Sequence, residues 1–386
     1  ASWVIECFVK KGINVDFCGL ATTPTMQIMT EKEHYDGGIV ITASHNPSEY
    51  NGLKFLRTDG TFLNPDQCKE FYKAADQNVS LANSHSLGAQ SFYKRANEEH
   101  IEKVLAARCI DVDNIRKKKF KVVIDAVNGA GSFILPMLCE QLGCEVISMN
   151  CNGDGNFTRV PEPLAENLNA LEQKVLSVGA DIGFATDPDG DRLSIVSNKG
   201  KAIGEEYTLV LAVKNFMNSE ESIVVTNLST SMMLDNIANK TIRTRIGEAH
   251  VVKKMNELNI SIGGEGNGGV ILKEVHLGRD SLVATAMILN LLSRDNKSLN
   301  EIISEIPSYI FIKDKINIDN SINFDSLATL FDCDEINTED GIKFSWSDKW
   351  IHIRKSNTEP IIRIFAEANT ENEVNDLIQT LKDFLK

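Results

Sequence analysis

The hydrophobic positions of this chain follow two periods, and the switches between them mark out its elements. Residues 3–11 are apolar at helical spacing, whereas 14–17 read as a short strand. Thr22-Thr23-Pro24-Thr25 then caps a helix that runs through Met29. Ile39-Val40-Ile41 is a β-branched run, the pattern of a buried strand, and Leu53-Lys54-Phe55 is a second strand. Helical spacing over 65–75 and 92–107 comes next, separated by a polar loop over 76–89. From Phe120 the two patterns alternate: strands 120–125, 145–149 and 180–185 frame helices 133–142 and 168–178. The cycle returns with strands 193–196, 222–226 and 260–263 and helices 206–216, 232–236, 251–258 and 279–292. Such alternation predicts parallel strands with helices on both faces, an α/β fold. After Arg294-Asp295-Asn296-Lys297 strands cluster at 309–317, 342–345, 350–354 and 361–366, with a helix over 372–384, which predicts a small α+β domain. No fixed-period sequence repeat is visible.

Composition narrows the class. The chain has 386 residues, enough for roughly two to four domains. Its net charge of −14 argues against nucleic acid or an anionic membrane as partner, although a local basic pocket still suits a small anionic substrate. The longest apolar stretch, Leu282 to Leu292, is too short to span a membrane. Eight cysteines are scattered without a Cys-x-x-Cys pair, the usage of a reduced, cytoplasmic protein. The seven histidines form no metal-binding pattern.

Four stretches carry candidate chemistry. Ser44, in Thr42-Ala43-Ser44-His45-Asn46-Pro47, sits on a loop just past a strand end, where open α/β sheets place their chemistry; a helix cap or turn hydroxyl is the plain alternative. Asp187-Pro188-Asp189-Gly190-Asp191-Arg192 is kept from helix by Pro188 and Gly190. In a near-extended loop its alternate carboxylates point the same way and converge, which calls for a cation between them. All-oxygen ligands fit Mg²⁺ better than zinc, and the alternative is an acidic surface turn. Gly264-Glu265-Gly266-Asn267-Gly268-Gly269 matches a dinucleotide fingerprint only formally, because Val270-Ile271-Leu272 reads as a strand and not a helix. It reads better as a loop offering Glu265 and Asn267 to a polyol, or as a plain glycine turn. Arg354-Lys355-Ser356-Asn357-Thr358-Glu359-Pro360 lies between strands and offers what a phosphate dianion needs, with Arg363 in support; an ordinary β-turn is the alternative. Lys54 alone is an unremarkable lysine.

In this order the four stretches resemble the motifs of the α-D-phosphohexomutase family, which includes phosphoglucomutases, phosphomannomutases and phosphoglucosamine mutases. The resemblance covers the whole chain, one motif per domain: 1–92, 93–195, 196–300 and 301–386. It implies three related α/β domains and a smaller α+β C-terminal domain around a central cleft. It implies that Ser44 is the phosphorylated serine, and that Asp187, Asp189 and Asp191 hold Mg²⁺ together with an oxygen of that phosphoserine. It makes Lys54 the general acid/base and has Arg192 help with charge. Glu265 and Asn267 would read sugar hydroxyls, and Arg354, Ser356, Asn357 and Thr358 would grip the phosphate not in transfer. The implied activity interconverts hexose 1-phosphate and hexose 6-phosphate through a 1,6-bisphosphate, which also serves as activator. The partners implied are small hexose phosphates, for a monomer or homodimer.

Two departures stand out. Members usually begin with a segment carrying a Gly-x-Arg element, and nothing of that kind precedes Trp3, so the first strand and helix of domain 1 are expected to be missing. Many members also carry His where this chain has Gly269, which leaves His250 or His45 to assist proton transfer. The glycine-rich form of the third loop is similar to chains called phosphoglucosamine mutases or phosphomannomutases, and the former is the favoured reading. The alternatives are a phosphomannomutase or phosphoglucomutase, a truncated non-catalytic sugar-phosphate-binding protein, or a phosphatase-like hydrolase.

Overall fold

Short connections and buried β-branched runs set the architecture. The computed structural model describes residues 1–44, 46, 50–77, 86–217, 223–317, 327–356 and 361–385. His45, Asn357 and Thr358 lie outside the described residues.

The first unit runs α1 (Ser2–Lys10), β1 (Val15–Phe17), α2 (Thr23–Lys32), β2 (Gly38–Ile41), β3 (Leu53–Leu56), α3 (Pro65–Asp76) and β4 (Gln90–Phe92). The Thr22 hydroxyl accepts the Thr25 N–H and starts α2, with Pro24 in its first turn. Asn64 and Gln67 form a capping box on α3. β2 and β3 make an antiparallel hairpin, whereas β1 pairs in parallel with β4, so the unit holds two separate two-stranded sheets. β4 departs from the sequence reading, which has a helix begin at Phe92. Gln-Ser-Phe has no strand signature of its own; its order comes from the ladder with Val15–Phe17. The helix begins only at Ala96.

The second unit is entered through α4 (Ala96–Leu105) and α5 (Val112–Lys118). It contains β5 (Lys121–Asp125), α6 (Gly131–Gln141), β6 (Glu145–Met149), α7 (Asn169–Val178), β7 (Ile182–Thr186) and β8 (Leu193–Ser197). The third has α8 (Glu206–Phe216), β9 (Ile223–Asn227), β10 (Lys240–Thr244), α9 (Glu248–Leu258), β11 (Ile262–Glu265), β12 (Gly269–Leu272) and α10 (Ser281–Asp295). Their sheets share one plan, β6-β5-β7-β8 and β10-β9-β11-β12. In each, three strands are parallel and the last runs antiparallel. The alternation of patterns predicts parallel strands throughout, and this last strand corrects it. The links β7–β8 and β11–β12 are too short for a crossover, which needs a dozen or more residues.

After α11 (Leu299–Ser304), the fourth unit has β13 (Ile310–Asn317), β14 (Glu335–Asn337), β15 (Ile342–Ser345), β16 (Trp350–Lys355), β17 (Ile361–Ala368) and α12 (Glu371–Phe384). Its sheet is antiparallel throughout, in the order β13-β17-β16-β15-β14. The architecture is three related α/β units and a smaller α+β one. One continuous apolar core runs through the first three units, from Ile28 through Ile101 and Phe184 to Leu282. The stretch Leu282 to Leu292 is the buried middle of α10, which packs against α8, α5 and α4. The fourth unit has its own core and meets the third through buried polar contacts. Lys343 Nζ donates to Leu228 O (2.6 Å), Ser229 Oγ bonds His352 Nδ1 (2.7 Å), and Glu367, held within its own unit by Trp350 Nε1 (2.7 Å), accepts from Met232 N (2.7 Å). No helix among the described residues is long and apolar enough to cross a membrane.

Candidate functional site

The hexapeptide Asp187–Arg192 is the whole link between β7 and β8. Gly190, at φ +71°, closes it as a turn, its N–H donating to Asp187 O (3.3 Å). A turn, and not the extended loop expected, gathers the carboxylates. One oxygen from each of Asp187, Asp189 and Asp191 lies within 4.8 Å of the others, and all three residues are buried. Asp187 Oδ2, Asp189 Oδ1 and Asp191 Oδ1 are buried without a hydrogen-bond partner. Such oxygens are costly unless a cation meets them. Three hard oxygen donors in this state fit a divalent ion such as Mg²⁺.

Three units hold this turn in place. Ala130 N donates to Pro188 O (2.7 Å), Thr23 N to Asp189 O (2.9 Å), and Ser281 Oγ to Gly190 O (2.7 Å). Thr23 and Ser281 are the first residues of α2 and α10, so two helix starts of distant sequence fix one loop. Thr23 Oγ1 also donates to Asp189 Oδ2 (2.6 Å).

Cations surround the turn. Lys54, on β3 opposite Val40 of β2, puts Nζ 2.5 Å from Asp189 Oδ2. Burial alone would lower the Lys54 pKa, but Asp191 and Asp189 more than reverse this and raise it. Arg192 sends Nη1 to Glu162 Oε1 (3.0 Å), while its Nε stands 3.7 Å from Asp191 Oδ1. Burial, then the neighbouring Asp191 and Asp189 carboxylates, push Asp187 well above the usual carboxylate range. Burial would raise Asp191 too, but Arg279, Lys54 and Arg192 hold it below that range.

Glu265 is the last residue of β11, in a hairpin that returns at Gly269. Its carboxylate is buried and engaged on both oxygens. Asn227 Nδ2 (2.9 Å) and Gly247 N (2.9 Å) donate to Oε1, and Arg279 Nη1 (2.7 Å) to Oε2. Asn267, half-buried at the tip, keeps Oδ1 without a hydrogen-bond partner. Arg354, near the end of β16, lies directly opposite Arg363 of β17. Its Nε donates to Asp340 Oδ1 (3.3 Å), whose other oxygen accepts the Ile246 N–H (3.0 Å). Ser356 lies just past β16, with its N–H on Ile361 O (2.9 Å).

Ser44 stands in the loop between β2 and β3. It is in the left-handed region, φ +51°, which is unusual for a residue with a side chain. Its N–H donates to Thr42 Oγ1 (2.9 Å), and Asn46 N closes a turn onto Ala43 O (3.0 Å). Ser44 and Lys54 thus belong to one hairpin.

The structure joins the four units by a line of polar contacts, bridged along the chain from Asp189 to Asp191 and from Gly247 to Ile246. It runs Lys54–Asp189 in the first two units, Asp191–Arg279–Glu265 from the second to the third, then Gly247 and Ile246 to Asp340 and Arg354 in the fourth. Sequence reading missed Thr23, Arg279, Glu248 and Asp340. Arg279, Glu248 and Asp340 are single residues outside any motif, Thr23 reads only as part of a helix cap, and only its tertiary partner marks each. His250 is on α9 and half-buried.

A four-unit α/β protein built around a buried acidic cluster is the class this geometry defines. Four family profiles match in order: phosphoglucomutase/phosphomannomutase α/β/α domain I at 1–81, domain II at 98–200, domain III at 204–309, and the C-terminal domain at 316–383. A "probable phosphoglucosamine mutase" of Methanopyrus kandleri is 32% identical over 394 residues, covering 99% of this chain and 86% of the relative. A "phosphoglucomutase/phosphomannomutase" of Thermococcus kodakarensis is 36% identical over 388 residues, covering 97% and 84%. The crystal structure of a phosphoglucomutase/phosphomannomutase family protein from Burkholderia thailandensis superposes with a TM-score of 0.85 at 24% identity, over 100% of this chain and 85% of that one. The chain belongs to the phosphoglucomutase/phosphomannomutase family, the α-D-phosphohexomutases.

Proposed function

We propose that the chain interconverts glucosamine 1-phosphate and glucosamine 6-phosphate through a phosphoserine at Ser44 and a 1,6-bisphosphate. The observation that carries this is the line of polar contacts from Lys54 to Arg354, which links one candidate residue of each of the four units. Each element falls to one proposed domain: Ser44 and Lys54 to 1–92, the acidic turn to 93–195, Glu265 and Asn267 to 196–300, and Arg354, Ser356, Asn357 and Thr358 to 301–386. The relative named for glucosamine and the glycine-rich third loop support the choice of sugar.

Transfer starts with a sugar hydroxyl oxygen attacking the phosphorus on Ser44. A new O–P bond forms to the sugar as the P–Oγ bond breaks. Lys54, an ammonium in this carboxylate setting, gives its proton to Oγ, and the proton of the attacking hydroxyl replaces it. The bisphosphate turns over in the cleft, and the reverse transfer from its other end returns a phosphoryl group to Ser44. Mg²⁺ held by Asp187, Asp189 and Asp191 would neutralise charge on the phosphoryl oxygens. Arg192 adds positive charge beside that cluster. Glu265 and Asn267 orient the sugar, Arg354 and Ser356 hold the idle phosphate, and a hexose 1,6-bisphosphate primes the serine.

The test is a coupled assay with Mg²⁺ and a trace of hexose 1,6-bisphosphate, offering glucosamine, mannose or glucose 1-phosphate separately. Fastest 6-phosphate formation from glucosamine 1-phosphate is expected. Fastest turnover of another sugar would reassign the substrate within the family. No turnover in any tube would overturn the mutase reading for this chain.

A further inference from the structure

Arg279 stands at the point where the acidic turn and the third-unit hairpin meet. It precedes α10 by two residues, and its guanidinium reaches three carboxylates on three separate segments. Nη2 lies 2.5 Å from Asp191 Oδ2, Nη1 2.7 Å from Glu265 Oε2, and Nε 3.0 Å from Glu248 Oε2. All four residues are nearly excluded from solvent. A planar fork with several fixed donors suits this task, and a lysine ammonium does not. The stem of Arg279 crosses Gly269, the first residue of β12. A Cβ at position 269 would overlap Cδ of Arg279 and stand 2.7 Å from its Cγ. With its far end pinned by three carboxylates, the arginine cannot step aside at low cost. Gly269 and Arg279 therefore work as a pair: the bare glycine is what lets the guanidinium in.

We propose that Arg279 is a positioning residue that couples the sugar-reading carboxylate of Glu265 to the metal-holding turn, an inference that rests on the mutase reading for the roles of both. It locks the orientation of Glu265 and serves as the resident countercharge of Asp191. It takes Oδ2 of Asp191 and leaves Oδ1 for a cation. The second effect has a distinctive sign. A fixed positive charge next to the donor set repels a divalent ion, so removing it tightens metal binding. A merely structural arginine would, on removal, loosen the turn and weaken metal binding.

The experiment uses the full chain, with Mn²⁺ as calorimetric probe at fixed pH and glucosamine 1-phosphate as substrate. Arg279→Met should bind Mn²⁺ about tenfold more tightly, while KM rises about tenfold or more and kcat changes less. Arg279→Lys keeps the charge and should keep Mn²⁺ affinity near that of the parent, yet still raise KM. Gly269→Ala, which evicts the arginine, should move both quantities as Arg279→Met does, and should add nothing in the Arg279→Met background. Weaker Mn²⁺ binding in Arg279→Met, an unchanged KM, or additive effects of the two substitutions would overturn the proposal. Lys and Ala variants that remain folded by circular dichroism keep it testable if Arg279→Met does not fold. Failure of the parent chain to turn over any sugar would strike the proposed function and with it the sugar-reading half of this inference, whereas the Mn²⁺ comparison tests the countercharge half without turnover.

Discussion

Lys54 Nζ and Asp189 Oδ2 lie 2.5 Å apart although 135 residues separate them in the chain. The contact closes the first unit onto the second and sets the lysine in its charged form beside the acidic turn. With the ammonium as proton donor to Ser44 Oγ, Lys54→Ala should lower kcat by roughly 10²–10⁴-fold. Lys54→Arg keeps the charge but cannot give up its proton, so its kcat should fall nearly as far. Steady-state kinetics with melting curves as the folding control check this; full activity in Lys54→Arg would remove the acid/base role.

Removal of the metal gives the second expectation. Chelation should abolish turnover, and added Mg²⁺ should restore it. Asp187→Asn should weaken Mg²⁺ binding by on the order of a hundredfold, since even outer partners of a metal contribute 10–100-fold. Calorimetric titration reads this directly, and an unaltered affinity would show that the buried turn is not the metal site.

Asp340 bridges Arg354 and the Ile246 N–H, and is one of the contacts through which the fourth unit reaches the Glu265 surroundings. Asp340→Ala should free the arginine and raise KM several-fold for a phosphorylated sugar, with kcat falling less. Equal KM values for the variant and the parent would show that Arg354 does not grip phosphate.

Glu206, the first residue of α8, accepts the Ser231 N–H on Oε2 (3.0 Å). Burial pushes its pKa from the usual carboxylate range up to about 8, with Lys313 opposing and Glu205 and Glu367 adding to the rise. The folded state therefore holds this proton more tightly than the unfolded chain does. Its contribution to stability is fully present below about pH 4.5 and is lost as pH rises through 8. Glu206→Gln keeps the acceptor without the charge. Melting curves should show the variant gaining on the parent at pH 8 and not at pH 5, by on the order of a few kcal/mol. A shift equal at both values would mean Glu206 is charged in the fold.

Asp280, between Arg279 and Ser281, offers a stability test. It accepts from Leu282 N (2.8 Å) at the start of α10 and lies 2.8 Å from His100 Nε2 and 3.1 Å from His276 Nε2, all buried. Asp280→Ala strips the helix of its cap and leaves two buried imidazoles without their acceptor. A loss of about 3–5 kcal/mol is expected in denaturant unfolding, since one partner of a buried polar group is removed. A loss under about 1 kcal/mol, the size of an ordinary helix cap alone, would show that the cluster contributes little.

The local elements were legible in the sequence because their causes are local. Val122-Val123-Ile124 can bury both faces, Thr22 and Asn64 cap the helices that begin after them, and Pro188 with Gly190 excludes helix from the acidic stretch. The family could be read as well, because four motifs keep their order whatever lies between them. Strand direction, the short β4 and the turn geometry of the aspartates were not legible, since each depends on a partner distant in sequence. The same holds for Arg279, Thr23 and Asp340. Nothing in their own neighbourhoods distinguishes them from other polar residues at element ends. Tertiary folding alone brings them to buried carboxylates and backbone groups of other units, where low dielectric makes each contact count.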